Sequence, residues 1–174
     1  MGGNINWMSS ALQILRCYRC GEEYDPRKLN NLCVKCDGSL LAKYDTNKAS
    51  KTFTKQSLKD RKGGLWRYFE LLPLFDEKNL VSLGKGETPI LSLNRLGERL
   101  GVPHLTVKND GIMPTGTFKA RRQTIALSKA KELALTDLSI PSAGNAAGAM
   151  SAYCARADIR AHVFMRVNSQ NQIS

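Results

Sequence analysis

The apolar positions of this 174-residue chain fall into segments of different character. The clearest unit lies near the C-terminal end. DLSIPS (137–142) is expected to be a strand, AGN a turn, AAGAMSAYCARA (146–157) a helix of small residues, and RAHVFMRV (160–167) a second strand. Strand, turn, helix, strand in that order predicts a parallel βαβ crossover. Its Ala-, Gly- and Ser-rich helix is slim enough to lie close to the sheet. Upstream, a helix is expected from about Phe118 to Ala134 and a strand in HLTVK (104–108). Leu93, Leu96 and Leu100 recur at helical spacing before a stop at Gly101 and Pro103. LGKGETPILSL (83–93) reads as a loop followed by a short extended piece. WRYFELLPLF (66–75) is a dense aromatic and aliphatic patch that must bury against something. Residues 1–16 show little pattern and are expected to be poorly ordered or partly helical, with Trp7, Leu12 and Ile14 as loose anchors. NSQNQIS at the end has no periodicity and reads as a polar tail. No internal repeat is visible.

Composition narrows the class. Hydrophobic residues make up 42% and charged residues 24%, the usual balance of a globular protein. No apolar run approaches the ~20 residues needed to cross a bilayer, and no signal peptide is visible at the start. Gly2 invites N-myristoylation, but Asn6 stands where that motif wants Ser or Thr. The expectation is a cytoplasmic protein without a membrane segment. The net charge of +11 is spread along the chain. One stretch, KASKTFTKQSLKDRK (48–62), is denser: a continuous helix would align Lys48, Lys51, Lys55, Lys59 and Lys62 on one stripe. Such a stripe can track phosphates, but it is more often a solvated face or a linker.

The cysteines form a module. Cys17 and Cys20 (CYRC) and Cys33 and Cys36 (CVKC) are two CxxC knuckles at zinc-ribbon separation. Each knuckle directs two thiolates at one centre, and two knuckles complete a tetrahedral shell. A closed four-thiolate shell leaves no position for substrate, so the expected Zn²⁺ is structural. The alternative, two disulfides, is disfavoured in a cytoplasmic chain. Cys154 lies in the small-residue helix and is expected to be an inert buried thiol.

Two segments carry the candidate chemistry. SAGNAAG (142–148) joins a strand end to a helix start, the edge where open α/β sheets bind ligands. Backbone N–H groups there can seat an anion, and the Asn145 side chain can both donate and accept. Equally, Gly144 can serve the turn and Asn145 cap the helix. In PTGTFKARR (114–122), Lys119 follows a small-residue turn and an aromatic. A lysine nucleophile must lose its proton, through desolvation or a neighbouring positive charge; Phe118 offers cover, and Arg121 and Arg122 offer charge. A solvated lysine in a first helical turn is the competing reading. An aldehyde cofactor such as pyridoxal phosphate is the natural partner of a reactive lysine.

Taken together, LGKGETPI, VKNDGIMPTGTFKARR and SAGNAAGAMSAYCARA resemble the threonine synthase family within the fold-type II pyridoxal phosphate enzymes. The resemblance covers roughly Val81 to Val167 and extends to the cysteine ribbon, with which many such chains begin. It implies an α/β fold: a partial fold-type II pyridoxal phosphate enzyme, a parallel sheet with its βαβ unit, preceded by the four-cysteine zinc ribbon. The implied division is 1–46 for the N-terminal segment and ribbon, 47–80 for a basic linker and aromatic patch, and 81–174 for part of the catalytic domain. It implies Lys119 as the Schiff-base lysine and proton shuttle, and Asn145 on the 3′-hydroxyl of pyridoxal 5′-phosphate. Ser142, Ala143, Gly144 and Ala146 would grip the substrate carboxylate, and Glu87 and Thr88 would lie in the entrance loop. The implied reaction is a lyase reaction converting O-phospho-L-homoserine and water to L-threonine and phosphate. Threonine dehydratases and cysteate synthases share much of the pattern.

The chain also departs from the family. Ala120-Arg121-Arg122 replaces the usual Asp-Arg-Gly after the lysine, which predicts two positive charges without their local partner. The glycine-rich loop for the cofactor phosphate and the group facing the pyridine nitrogen lie downstream in the family. An incomplete enzyme with little activity alone is therefore expected, completed by a C-terminal half or in a homo-oligomer. The rival expectation is a non-catalytic zinc-ribbon protein binding nucleic acid or a partner. Phe53 is the single aromatic inside the lysine stripe, where stacking binders need several, so nucleic acid is the weaker reading.

Overall fold

A computed structural model describes residues 9–84 and 86–166. Trp7 and the NSQNQIS tail lie outside the described residues. The N-terminal segment is not loose where it is described. Strand β1 (Leu12–Cys17) pairs antiparallel with β2 (Glu23–Tyr24) on one side and β3 (Leu40–Tyr44) on the other. Leu12 and Cys17 are buried and the residues between them are more exposed. Order therefore begins before the first cysteine, because β1 is the central strand of this small sheet.

The lysine segment is two short helices, not one. α1 (Thr46–Ser50) is capped by Asp45, whose carboxylate accepts from Lys48 N at 2.9 Å. α2 (Lys55–Asp60) starts in a capping box between Thr54 and Ser57. The break at Thr52–Thr54 disrupts the single stripe expected of one helix. The aromatic patch finds its partner in the N-terminal strand. Residues Leu65–Leu71 form a 3₁₀ helix kinked at Tyr68, and Phe69, Leu72 and Leu74 are buried. Ala11 N donates to Glu70 O at 2.8 Å, and Ser10 Oγ donates to Leu72 O at 2.6 Å. Beneath the patch, Arg61 and Glu70 form an ion pair with side chains only 2% and 1% exposed. Arg61 bonds both Glu70 oxygens (2.6 and 2.8 Å), and Thr52 Oγ1 donates a further bond at 2.8 Å. Burial alone would raise the Glu70 carboxyl. Hydrogen bonds from Arg61, from its own backbone N–H and from Thr52, with the Arg61 charge, outweigh this and hold it below its usual range.

From residue 81 onward the chain is mixed α/β. β4 (Ile90–Ser92) pairs antiparallel with β5 (Thr106–Lys108), and α3 (Asn94–Leu100) lies between them, closed at Gly101. Leu96 and Leu100 share the expected helical spacing but remain exposed. α4 (Lys119–Glu132), β6 (Asp137–Pro141), α5 (Asn145–Ala157) and β7 (Arg160–Phe164) follow. β6 and β7 are parallel, in register from Asp137↔Arg160 to Pro141↔Phe164, with α5 as the crossover. The second strand stops three residues before the expected end at 167. The core joins α4 and α5 to the sheet: Ala120, Leu127 and Ala130 meet Met150, Tyr153, Cys154 and Ile159. Burial raises the pKa of the Cys154 thiol, as an inert core thiol requires. Two buried hydroxyls of α4 fix the entry to this region. Ser128 Oγ accepts from Val81 N at 2.8 Å, and Thr124 Oγ1 donates to Val81 O.

Candidate functional site

The four cysteines of the two knuckles converge. Cys17 and Cys36 Sγ are 3.5 Å apart, as are Cys20 and Cys33, and all four sulfurs lie within 4.8 Å of one another. A tetrahedral zinc with bonds of about 2.3 Å has sulfur–sulfur edges of roughly 3.8 Å. The thiols therefore need only small adjustments to take such an ion. Tyr24 organises the cluster: its hydroxyl donates to Cys33 Sγ at 3.2 Å and accepts from Val34 N at 3.0 Å. The first of these bonds is the main reason the Cys33 thiol is drawn down to about 6. Gly38 is obligatory by close approach, because a Cβ there would fall 2.7 Å from Cys17 Sγ and 3.3 Å from Cys36 Sγ.

Lys119 is the first residue of α4. The turn before it closes through Gly116 N to Met113 O at 2.7 Å, with Gly116 in the left-handed region at φ 65°. Thr117 Oγ1 then accepts from Lys119 N at 3.4 Å. Lys119 is half-buried as a residue, and its ammonium lies 4.4 Å from the centroid of the Phe118 ring. That ring is itself 59% exposed, so it gives the lysine a π face rather than a dry pocket. Among the described residues Lys119 has no carboxylate partner.

Arg121 corrects the expectation of unpartnered charge. Its guanidinium grips Asp110 with Nε to Oδ2 at 2.8 Å and Nη2 to Oδ1 at 2.7 Å. Thr88 Oγ1 donates to Asp110 Oδ1 at 2.7 Å and accepts from Arg121 Nη2 at 3.1 Å. Lys108 Nζ donates to Thr88 O at 3.1 Å. The hydrogen bonds from Arg121 and Thr88, with the charges of Arg121 and Lys108, hold the Asp110 carboxyl far below the usual carboxylate range. The acid missing after the lysine is thus supplied from the turn after β5. Arg121 is held in place by this bidentate pairing with Asp110. Arg122 remains exposed.

Of the entrance-loop pair, Thr88 is buried and its hydroxyl is committed to this network. Glu87 is exposed, with its carboxylate lodged against Gly63: a Cβ there would sit 1.1 Å from Oε1. Both line a cavity of about 550 Å³ that reaches Met113 and Pro114 of the lysine turn.

The second turn sits at the C-terminal edge of β6 and β7. Ser142 N donates to Phe164 O at 3.1 Å, extending the sheet, and Ser142 Oγ accepts from Gly144 N at 3.3 Å. Gly144, not Asn145, is the N-cap of α5, and no side chain caps the helix. Asn145 is exposed and its side chain has no partner among the described residues. The backbone amides of Asn145 and Ala146 likewise have no partner among the described residues, as is usual for first-turn amides. Ser142 and Ala143 line a cavity of about 370 Å³ with Pro141, Phe164 and Met165. α4 and α5 pack together, and their first turns are joined. Gln123, buried one turn beyond Lys119, donates Nε2 to Ala146 O at 3.5 Å.

A family model described as "Pyridoxal-phosphate dependent enzyme" matches residues 81–172. The chain belongs to this family. Among curated proteins it is similar to the threonine synthase of Methanocaldococcus jannaschii, 39% identical over 141 residues, which is 81% of this chain and 35% of that protein. The threonine synthase of Methanosarcina acetivorans is 37% identical over 145 residues, 83% of this chain and 35% of its own length. That of Halalkalibacterium halodurans is 41% identical over 99 residues, 57% and 28% of the two lengths. The chain thus spans about a third of the length of the first two relatives. Pyridoxal phosphate is the family's cofactor, and the donor set fits it: a lysine free of carboxylates at one helix start, and unclaimed amides with a free carboxamide at the neighbouring one.

Asp110 and Gln123 escaped the sequence reading. Asp110 is visible in retrospect as the acid of VKNDG just before the lysine turn. Gln123 is a polar residue four positions beyond Lys119 on a face that packs inward.

Proposed function

We propose that this protein is a threonine synthase-like, pyridoxal phosphate-dependent carbon–oxygen lyase converting O-phospho-L-homoserine and water to L-threonine and phosphate. The observation that carries the reading is the junction of two helix starts, Lys119 heading α4 and Ser142–Ala146 opening α5, bridged by Gln123. Its similarity to threonine synthases supports the choice of substrate. Lys119 would hold the cofactor's aldehyde carbon and move the proton at the substrate's carbon framework. Asn145 would hydrogen-bond the ring hydroxyl. Ser142, Ala143, Gly144 and Ala146 would receive the substrate carboxylate on backbone amides. Glu87 and Thr88 border the way in, Thr88 by fixing Arg121 and Asp110, and Glu87 from the rim. Bound pyridoxal phosphate supplies an electron sink for carbanion chemistry. Cys17, Cys20, Cys33 and Cys36 would hold a structural Zn²⁺ away from this chemistry, and the protein would work in the cytoplasm.

Cofactor capture is the direct test. The zinc-loaded chain is incubated with pyridoxal phosphate, reduced with borohydride and mapped by peptide mass spectrometry. The expected result is a label concentrated on Lys119. Labelling spread over the exposed lysines in proportion to their accessibility would reject Lys119 as the cofactor residue.

A further inference from the structure

Phe75 stands between the cysteine module and the helix that starts with Lys119. The guanidinium of Arg27 lies 4.3 Å from its ring centroid and the ammonium of Lys129 lies 4.6 Å from it. Two cations on one ring repel each other unless a counter-charge is close. Glu132 supplies it, pairing with Lys129 at 2.7 Å. Its other oxygen accepts from Phe75 N at 2.7 Å and Asp76 N at 2.8 Å. Lys129 and Glu132 form the last turn of α4, so that turn holds Phe75 by both ring and backbone.

The other cation on the ring comes from the cysteine module. Arg27 lies in the spacer between the two CxxC knuckles, in a turn closed by Arg27 N to Asp25 Oδ1 at 2.8 Å. Asn30 Nδ2 ties the same turn with bonds to Asp25 O and Lys28 O, each 2.8 Å. Asp25 follows Tyr24, whose hydroxyl is bonded to Cys33 Sγ. A continuous set of contacts therefore runs from Cys33 through Tyr24, the 25–30 turn, Arg27 and Phe75 to Lys129 and Glu132.

We infer that Phe75 is a clasp through which the four-cysteine module steadies the C-terminal end of the lysine helix, so that metal occupancy sets how firmly α4 is held. The inference rests on the reading that the cysteines bind a metal. When the knuckles close on an ion, the spacer turn is fixed and Arg27 stays on the ring. When the ion leaves, the spacer loses its closure, Arg27 leaves the ring, and the last turn of α4 is freed to fray.

Hydrogen exchange by mass spectrometry on the full chain tests this, with and without zinc and chelator, for the wild type, Arg27→Ala and Phe75→Leu. Zinc content is measured on the same samples. Chelation is expected to speed exchange of the wild-type 129–134 segment about fivefold, the loss of one cation–π contact of roughly 1 kcal/mol, while β6 keeps its protection. Arg27→Ala, an exposed position that does not endanger folding, is expected to show the faster rate with zinc still bound and no further change on chelation. Phe75→Leu should behave the same way. Unchanged exchange at 129–134 after zinc has left would overturn the inference, as would β6 opening in step with the helix. If the chain takes up no zinc, the metal reading fails separately. The clasp is then decided by Arg27→Ala against wild type, and equal exchange at 129–134 overturns it.

Discussion

The cysteine cluster and the lysine–asparagine junction are built in opposite ways. Each CxxC pair brings two thiols together within four residues, and one small antiparallel sheet brings the pairs to a common centre. The cluster is closed by local geometry, with all four sulfurs within 4.8 Å of one another. The lysine junction has no local closure. Lys119 and Asn145 are 26 positions apart, each at the head of its own helix, and those helices are brought side by side because α4 packs on α5, which in turn packs on β6 and β7. A site of the first kind needs an ion to be stable. A site of the second kind is held by a hydrophobic core and leaves its polar groups unspent for a ligand.

Disrupting each region should therefore fail differently, and the cysteine module should fail hardest. Cys33→Ser removes a ligand at the sulfur bonded by Tyr24. Bound zinc is expected to fall from about one per chain to none, read by atomic emission, with loss of the β1–β3 sheet by circular dichroism. Gly38→Ala should weaken the site through steric pressure on Cys17 with all four ligands retained. Full zinc occupancy at wild-type affinity in either variant would contradict a closed tetrathiolate site.

The buried Arg61–Glu70 pair comes next. Glu70→Ala leaves a guanidinium at 2% exposure without its carboxylate and should cost about 3–5 kcal/mol by urea denaturation. A cost near zero would mean that the patch at 66–75 does not anchor the N-terminal strand. Asp110→Asn touches the lysine junction from behind and should cost about 1–2 kcal/mol near neutral pH. The pH dependence has a definite sign. The Asp110 carboxyl titrates lower in the fold than in the unfolded chain. Its contribution is therefore complete above about pH 4 and is lost as pH falls from there toward the folded value. The gap between wild type and Asp110→Asn should narrow below pH 4. A gap of constant size from pH 7 to pH 3 would show that Asp110 is not held by Arg121 as a carboxylate.

The smallest stability effect is expected where the functional effect is largest. Lys119→Ala loses one contact with an exposed aromatic and should change stability by no more than about 1 kcal/mol. The same substitution should abolish the borohydride-trapped cofactor label. A large loss of stability with the label retained elsewhere would make Lys119 a structural residue and sharpen the case against the proposed role.

How much of this was legible differs along the chain. The CxxC spacing, the small-residue α5 between two strands, and the strand-to-helix turn at 142–145 all stand in the sequence as local patterns, and the structure has each of them. Pattern failed where a distant partner decided the outcome. Residues 12–17 look weak as an isolated segment, and become the central strand because β2 and β3 flank them. The lysine run from 48 to 62 suits one helix by spacing, yet the caps at Asp45 and Thr54 start two. Arg121 lacks an acid in its local sequence because its partner is not the adjacent residue but Asp110, eleven positions earlier.

By itself, then, the sequence determined the pairing of the cysteines into two knuckles, the βαβ order and the candidate lysine, since each depends on residues within a turn or two of one another. Only the tertiary structure decided that Asp110 neutralises Arg121, that Gln123 joins the two helix starts, that Asn145 is not spent as a cap, and that Phe75 takes a cation from the ribbon and another from α4. Those outcomes depend on which faces pack, and hydrogen bonds between segments far apart in the chain leave no periodicity to read.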